Sequence, residues 1–370
     1  MIKKYIKRTI AIIMLFFLSF SIMYYIQTPY GHVVNIIQGF YKEEKNSIDV
    51  VFVGASEVSS GYSAPYAFSL FGYTSYTYSI DGIEVKDVKH VLAEIYSYQT
   101  PKLVIIDISC ATSYSQKKSG NEPSRVLVDN IPMSKHKLEL LGMYTDMDER
   151  VNSVFPFITH HGFIPDFEYM KFCYRNENTL KGTYARSSKI ENAGTIFELT
   201  EKRRVLPDNL QNELTDLLEY CKKNNYSVAF TRFPNRVNNE AFLKRYEECN
   251  YILDFISSRG FPVIDCMTKV FLDEVDYQND FYTNDHLSVN GQRKLTRYLG
   301  ATLTEKYDIG ISQLSSYNLK KWNESSEYVG LFYEYVENVE KARKKDEPIY
   351  IFETSDLLEK LDSMREKKNN

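Results

Sequence analysis

A chain of 370 residues with 45 basic and 49 acidic side chains is long enough for one large or two modest domains with a proper core. It shows no basic excess of the kind that points to nucleic acid. Its five cysteines, Cys110, Cys173, Cys221, Cys249 and Cys266, have no CxxC spacing, which argues against a zinc site, a redox motif or a disulfide framework. The 30 tyrosines and 22 phenylalanines fit a carbohydrate-facing or membrane-adjacent protein, but an A/T-rich coding sequence is the simpler explanation.

At the N-terminus Lys3, Lys4, Lys7 and Arg8 precede an uncharged apolar run from Ile10 to Ile26. At ~1.5 Å per residue the run reaches about 25 Å, slightly short of a ~30 Å hydrocarbon core. Tyr24, Tyr25 and Tyr30 are placed for the far interface. No A-x-A-like cleavage site closes the run, so residues 1–28 are expected to be an uncleaved anchor in the lipid bilayer. The basic flank would stay cytoplasmic and the rest of the chain would be extracytoplasmic.

Val50, Val51, Phe52 and Val53 read as a strand buried on both faces, the kind found in parallel sheets. Gly54-Ala55-Ser56-Glu57 follows, where the chain must leave the sheet and begin a helix. Ser56 is therefore either a helix cap or a residue at the carboxyl end of a strand, where open α/β sheets place their ligands. "YTSYTYSI" is a second strand, ending at Asp81-Gly82, and "EVKDVKHVLAEIYSYQ" is a helix carrying Val85, Val88, Val91, Leu92 and Ile95 on one face. "KLVIIDIS" is the third strand. The helix "DNLQNELTDLLEYCKKNN" leads into the fourth, "YSVAFTRFP". A helix from about Glu240 to Ser258 precedes the fifth, "FPVIDC", and "NGQRKLTRYLGATLTEKY" closes the domain as a helix. Such alternation implies right-handed crossovers and a five-stranded parallel sheet covered on both faces.

Residues 113–205 break the rhythm and read as an insertion over the carboxyl edge of the sheet. Residues 311–370 read as a helical appendage holding a helix, a short strand in "PIYIFE" and a charged terminal helix. Arg232 and Arg236 in "TRFPNR" offer planar forks for an anionic polymer, though salt-bridged arginines are the commoner case.

A nucleophilic serine needs a base. His286 in "DFYTNDHLSVNGQRKL" follows the fifth strand by a loop and immediately precedes a helix, so topology returns it to the edge that carries Ser56. Gly54-Ala55-Ser56 after the first strand, Asp81-Gly82 after the second and Asp285-His286-Leu287-Ser288 before the last helix resemble the SGNH, or GDSL-like, hydrolases. The likeness is to membrane-anchored members from Gram-positive bacteria, and more distantly to the D-alanyl transfer protein of teichoic acid modification. It covers about residues 45–310 through short motifs.

The resemblance implies a three-layer α/β/α, flavodoxin-like fold after one transmembrane helix, with an SGNH-like catalytic domain over residues 29–310. It implies Ser56 as nucleophile, His286 as general base and the N–H groups of Ser56 and Gly82 as an oxyanion hole. The sequence departs from the family at two points. The acid usually stands three residues before the histidine, where this chain has Thr283. Asp285, Asp280, a threonine hydroxyl or a backbone carbonyl is left to orient the ring. The third-strand motif usually carries an oxyanion asparagine, and here reads Ser109-Cys110-Ala111-Thr112, leaving Ser109 or Thr112 as donors. His161, in "FPFITHHGF", is similar to a histidine that could face the site in the anchored proteins.

The expectation is an extracytoplasmic serine esterase or O-acyltransferase acting on a cell-surface glycan or teichoic-type polymer. The alternative is a catalytically weak SGNH scaffold that binds a glycan or partners a membrane acyltransferase. Neither a cofactor nor a metal is expected, because the His160-His161 pair has no third ligand at suitable spacing.

Overall fold

The computed structural model describes residues 2–26, 32–116, 122–144, 147–154, 178–187, 194–342, 349–351 and 355–369. The strands are β1 (Val50–Gly54), β2 (Ser75–Ser79), β3 (Leu103–Asp107), β4 (Ala185–Ser187), β5 (Val228–Arg232), β6 (Val263–Asp265) and β7 (Ile349–Ile351). Five of them form one parallel sheet in the order β2-β1-β3-β5-β6, while β4 and β7 pair antiparallel. The fold is α/β.

Period-two alternation divides each strand between two apolar layers. Val51, Val53, Tyr76, Tyr78, Val104, Ile106, Val228 and Phe230 pack against the helices His32–Phe40, Val85–Tyr98, Asp208–Lys223 and Glu240–Ser257. Val50, Phe52, Leu103, Ile105, Ala229 and Ile264 face the helices Ala64–Phe71 and Val289–Lys306. Both faces of the sheet are thus covered, which is why the strands read as near-continuous apolar runs.

The chain enters the sheet at β1, adds β2 on one side and then crosses to β3 on the other. The carboxyl ends of β1 and β3 therefore flank a topological switch point, where the loops diverge and leave a crevice. Gly54 ends β1 there, and a Cβ on it would lie 2.9 Å from Asp107 Cβ and 2.5 Å from Val58 Cγ2. Only glycine lets the two strand ends approach so closely.

Ile2–Ile26 is one helix, and its stretch Lys4–Ile22 has a mean hydropathy of 1.7, long and apolar enough to cross a membrane. Its large apolar side chains, Met14 and Phe16 among them, are exposed.

Within the insertion, the short helices Glu122–Asn130 and Lys135–Tyr144 add Leu127, Val128, Ile131, Leu140 and Leu141 to the layer on the Val51–Val53 face. These two helices thicken one helical layer, while Ser113–Gln116 packs against the helix Glu240–Ser257 and Arg204 N–H donates to the Glu247 carbonyl of that helix at 2.9 Å. Residues 178–184 cover the edge of β2, where Thr77 N–H donates to the Lys181 carbonyl at 3.0 Å. The Lys181 ammonium is buried against Glu43 at 2.7 Å.

The segment after 311 is packed against the rest. Ser312 N–H donates to the Gly72 carbonyl at 3.0 Å, and Trp322, only 2% exposed, lies 5.0 Å from the ring of Phe68. Phe332 and Val336 bury themselves with Leu180, Ala185 and Val289.

Candidate functional site

Ser56 opens the short helix Ser56–Gly61 as its first residue; the cap position is Ala55 and no side chain caps it. The serine hydroxyl is instead 2.7 Å from Nε2 of His286, a residue 230 positions away in sequence. Its own carbonyl accepts a hydrogen bond from the Tyr184 hydroxyl at 3.2 Å. Gln292, fully buried, donates from Nε2 to the carbonyls of Ser59 (3.3 Å), Ser60 (3.0 Å) and Tyr184 (3.0 Å). The hydroxyl of Tyr333 donates to its Oε1 at 3.1 Å. A six-residue helix has little stability of its own, and these bonds satisfy carbonyls that its end leaves open.

His286 is held by a tight turn. Phe281 and Leu287, both buried, bridge as an antiparallel pair, and Tyr282 N–H donates to the His286 carbonyl at 2.8 Å. The turn brings Asp285 Oδ1 to 2.9 Å from His286 Nδ1 although the two residues are adjacent. Thr283 Oγ1 is 2.7 Å from the same nitrogen and donates to Asp285 Oδ1 at 2.9 Å. Asp280 faces elsewhere, accepting from Asp276 N–H and the Lys294 ammonium, each at 2.7 Å.

Burial opposes the ionisation of Asp285. The hydrogen bond and charge of His286, followed by Arg245 and Thr283, outweigh it and hold the carboxyl below its ordinary range. An ionised carboxylate only accepts, so Nδ1 carries the ring hydrogen and the Nε2 lone pair faces the serine hydroxyl. That tautomer is the one a general base requires.

Behind the pair lies a small polar cavity lined by Glu57, Asp107, Ser109, Asn235, Arg245 and Asp285, with Phe233 and Pro234 on its wall. Arg245, 2% exposed, reaches Glu57 Oε1 at 2.6 Å and Asp285 Oδ2 at 3.5 Å. Its guanidinium lies 5.1 Å from the ring of Tyr114 and 5.8 Å from that of Phe242. The Ser109 hydroxyl is hydrogen-bonded to Asp107 Oδ2, and Thr112 Oγ1 donates to the Ser109 carbonyl at 2.8 Å.

Gly82 sits in the turn after β2 with φ of 71°. Since Gly54 pairs with Ser79 and Ile80 N–H donates to the Gly54 carbonyl at 2.9 Å, its turn leaves the sheet beside the one that carries Ser56. His161 and Cys173 lie outside the described residues. The other four cysteines are buried free thiols, and burial pushes Cys221 and Cys249 each up to about 12. Arg232 is engaged within the fold, bonded to Asp265 at 2.8 and 2.5 Å and to Asn250 at 2.7 Å. Arg236 is buried, and its N–H donates to the Asn284 carbonyl at 2.7 Å, tying the histidine turn to the end of β5.

Arg245, Asp107, Tyr184 and Gln292 also take part in this network and were not legible as site residues in the sequence. Asp107 carried a partial signal, as the charged end of an otherwise apolar buried strand. The others sit in patterns that read as ordinary helix or loop.

Burial and then the charge of Glu57 push the Asp107 carboxyl up to about 7, against the Ser109 hydrogen bond, Arg245 and the Phe233 N–H. A folded-state value above the unfolded one means that the native protein holds the extra proton. This contribution to stability is complete below the unfolded value and lost as pH rises through about 7. Asp107→Asn keeps an acceptor for Phe233 and removes that loss. Relative to wild type it should gain stability with rising pH, on the order of a few kcal/mol between pH 5 and 9. Denaturant unfolding of the full chain in detergent at both pH values checks this, and a pH-independent difference contradicts it.

No protein-family model, no curated protein and no solved structure matches the chain.

Proposed function

We propose that this protein is a membrane-anchored, extracytoplasmic serine esterase or O-acyltransferase of the SGNH type, acting on acyl groups of a cell-surface polysaccharide or teichoic-type polymer. The observation that carries this reading is the 2.7 Å contact of Ser56 Oγ with His286 Nε2 at the carboxyl edge of the sheet. The SGNH assignment rests on the motifs around Ser56, Gly82 and His286, and on a parallel α/β sheet that suits it. The membrane assignment rests on the apolar stretch Lys4–Ile22, and the basic residues at its N-terminal end, Lys3, Lys4, Lys7 and Arg8, favour an extracytoplasmic domain.

In this mechanism Ser56 Oγ attacks the ester carbonyl while its proton passes to His286 Nε2. Asp285 and Thr283 hold the ring and stabilise the imidazolium. The N–H groups of Ser56 and Gly82 take the developing oxyanion. His286 then protonates the departing alkoxide, leaving an acyl-serine. Water or a sugar hydroxyl, deprotonated by the same nitrogen, attacks that ester and frees Ser56. An anchor supports an envelope polymer as substrate, because tethering raises its effective concentration at the enzyme.

The bond between Ser109 and Asp107 favours a second reading. A hydroxyl engaged there is a poorer oxyanion donor than an asparagine amide, as expected of a catalytically weak scaffold that holds a glycan or partners a membrane acyltransferase.

Activated esters such as p-nitrophenyl acetate, offered to the full chain in detergent, separate the two readings. The esterase reading predicts a burst of nitrophenol and an added acetyl mass on the peptide containing Ser56. Folded protein that releases no nitrophenol above the buffer rate supports the scaffold.

A further inference from the structure

Ser56 and His286 come from segments 230 residues apart in sequence, one on a six-residue helix and the other on a tight turn. Each has an acidic neighbour in sequence, Glu57 and Asp285. Between them stands the guanidinium of Arg245, brought in by the N-terminal part of the helix Glu240–Ser257. We propose that Arg245 is a positioning residue for the Ser56–His286 pair, tying the nucleophile's helix through Glu57 to the base's turn through Asp285. The inference rests on the Ser–His reading given above.

The geometry carries it in three steps. First, Arg245 Nη2 is 2.6 Å from Glu57 Oε1 and Nη1 is 3.5 Å from Asp285 Oδ2. One planar fork therefore spans the two segments, which a single-point ammonium cannot do equally well. Second, the charges require it. Glu57 faces the cavity from the helix after β1, Asp107 from the end of β3 and Asp285 from the turn, with Cys249 below on Arg245's own helix. Arg232, the other cation on the cavity wall, is bonded to Asp265. Without Arg245, the Glu57 and Asp285 carboxylates that face this small cavity repel one another.

Third, Arg245 is itself fixed. It is 2% exposed, and Tyr114 and Phe242 lie against its guanidinium. A buried, stacked arginine has few alternative rotamers, so it transmits position. It acts through Asp285: an ionised, oriented Asp285 keeps the His286 hydrogen on Nδ1 and leaves Nε2 to the serine. Arg245 bonds neither Ser56 nor the ring, and so is not itself catalytic.

The test uses the full chain in detergent with 15N-labelled histidine. The His286 signals are assigned by their disappearance in His286→Gln. Two-bond proton–nitrogen correlation spectra report the tautomer directly, and fluorophosphonate labelling of Ser56 followed by intact mass reports reactivity. Wild type should show a single Nδ1–H tautomer. Arg245→Met should show mixed tautomers and label roughly 10- to 100-fold more slowly, while circular dichroism shows a folded domain.

Because Arg245→Met leaves carboxylates uncompensated and could unfold the domain, Glu57→Gln cuts one arm with less disruption and should move both readouts in the same direction. Arg245→Lys, which keeps the charge but not the fork, should recover part of the rate. A wild-type ring without a fixed Nδ1–H tautomer overturns the proposal. So do Arg245→Met and Glu57→Gln proteins that keep the wild-type tautomer and label within about twofold of wild type. If wild type fails to label while its tautomer is fixed and Arg245→Met frees it, the positioning role stands and the esterase reading falls.

Discussion

In the proposed mechanism Ser56→Ala should abolish ester turnover by the chain, and His286→Ala should lower it by roughly 10⁴-fold. The serine supplies the only oxygen that the mechanism can acylate, so its loss removes the covalent route. In that mechanism the histidine does two things that nothing beside it can replace: it takes the serine proton on Nε2 and returns it to the leaving alkoxide. Thr283 and Asp285 touch Nδ1, on the far side of the ring from Ser56, and cannot substitute. Since the pair acts as a unit, the double substitution should fall no further than Ser56→Ala alone. Spectrophotometric turnover of an activated ester checks all three proteins. A His286→Ala protein within tenfold of wild type would mean that the serine is activated by some other group.

Gly182→Ala should be among the most damaging single-methyl changes in the protein. Gly182 has φ of +83°, and a Cβ there would lie 2.0 Å from the Thr77 carbonyl oxygen. Both the strain and the clash fall on backbone, so neither relaxes by a side-chain rotation. Left-handed strain alone costs on the order of 1–3 kcal/mol, and displacing the loop loses the Thr77–Lys181 bond and loosens the buried Lys181–Glu43 pair as well. The expected loss exceeds about 3 kcal/mol in denaturant unfolding. Turnover should fall too, because Tyr184, two residues on, holds the carbonyl of Ser56. A variant that unfolds within about 1 kcal/mol of wild type would contradict this account of how residues 178–184 close the edge of β2.

The central strands were legible because burial on both faces leaves runs such as Val50–Val53 and Val104–Ile106 with no polar interruption. Ser56 and His286 were legible for a related reason: strand ends and helix starts mark the carboxyl edge of a parallel sheet even when nothing else is known. The strand order was not legible, since the choice of neighbour is made by crossovers that leave no local pattern. Nor were the helices Glu122–Asn130, Lys135–Tyr144 and Met147–Val154. The first two are short and pack by a few residues against a layer built elsewhere.

Within the site, sequence left Asp285, Asp280, a threonine hydroxyl and a backbone carbonyl open as groups to orient His286. The hairpin-like bridge of Phe281 with Leu287 tightens the turn enough to bring the adjacent Asp285 onto the ring. Arg245, Glu247 and Glu248 are buried in the helix Glu240–Ser257, where the charge pattern alone reads as a solvated face. Buried charge is visible only once its partners are in place. For Arg245 those partners are Glu57 and Asp285, 188 and 40 residues away.

The most direct measurement is fluorophosphonate labelling of the full-length chain in detergent, read by intact mass beside Ser56→Ala and His286→Ala. The account predicts a single phosphonyl adduct on wild type, none on Ser56→Ala, and labelling slowed by orders of magnitude on His286→Ala. An unlabelled wild type with an intact fold, or an adduct that survives Ser56→Ala, would contradict the assignment of Ser56 as an activated nucleophile.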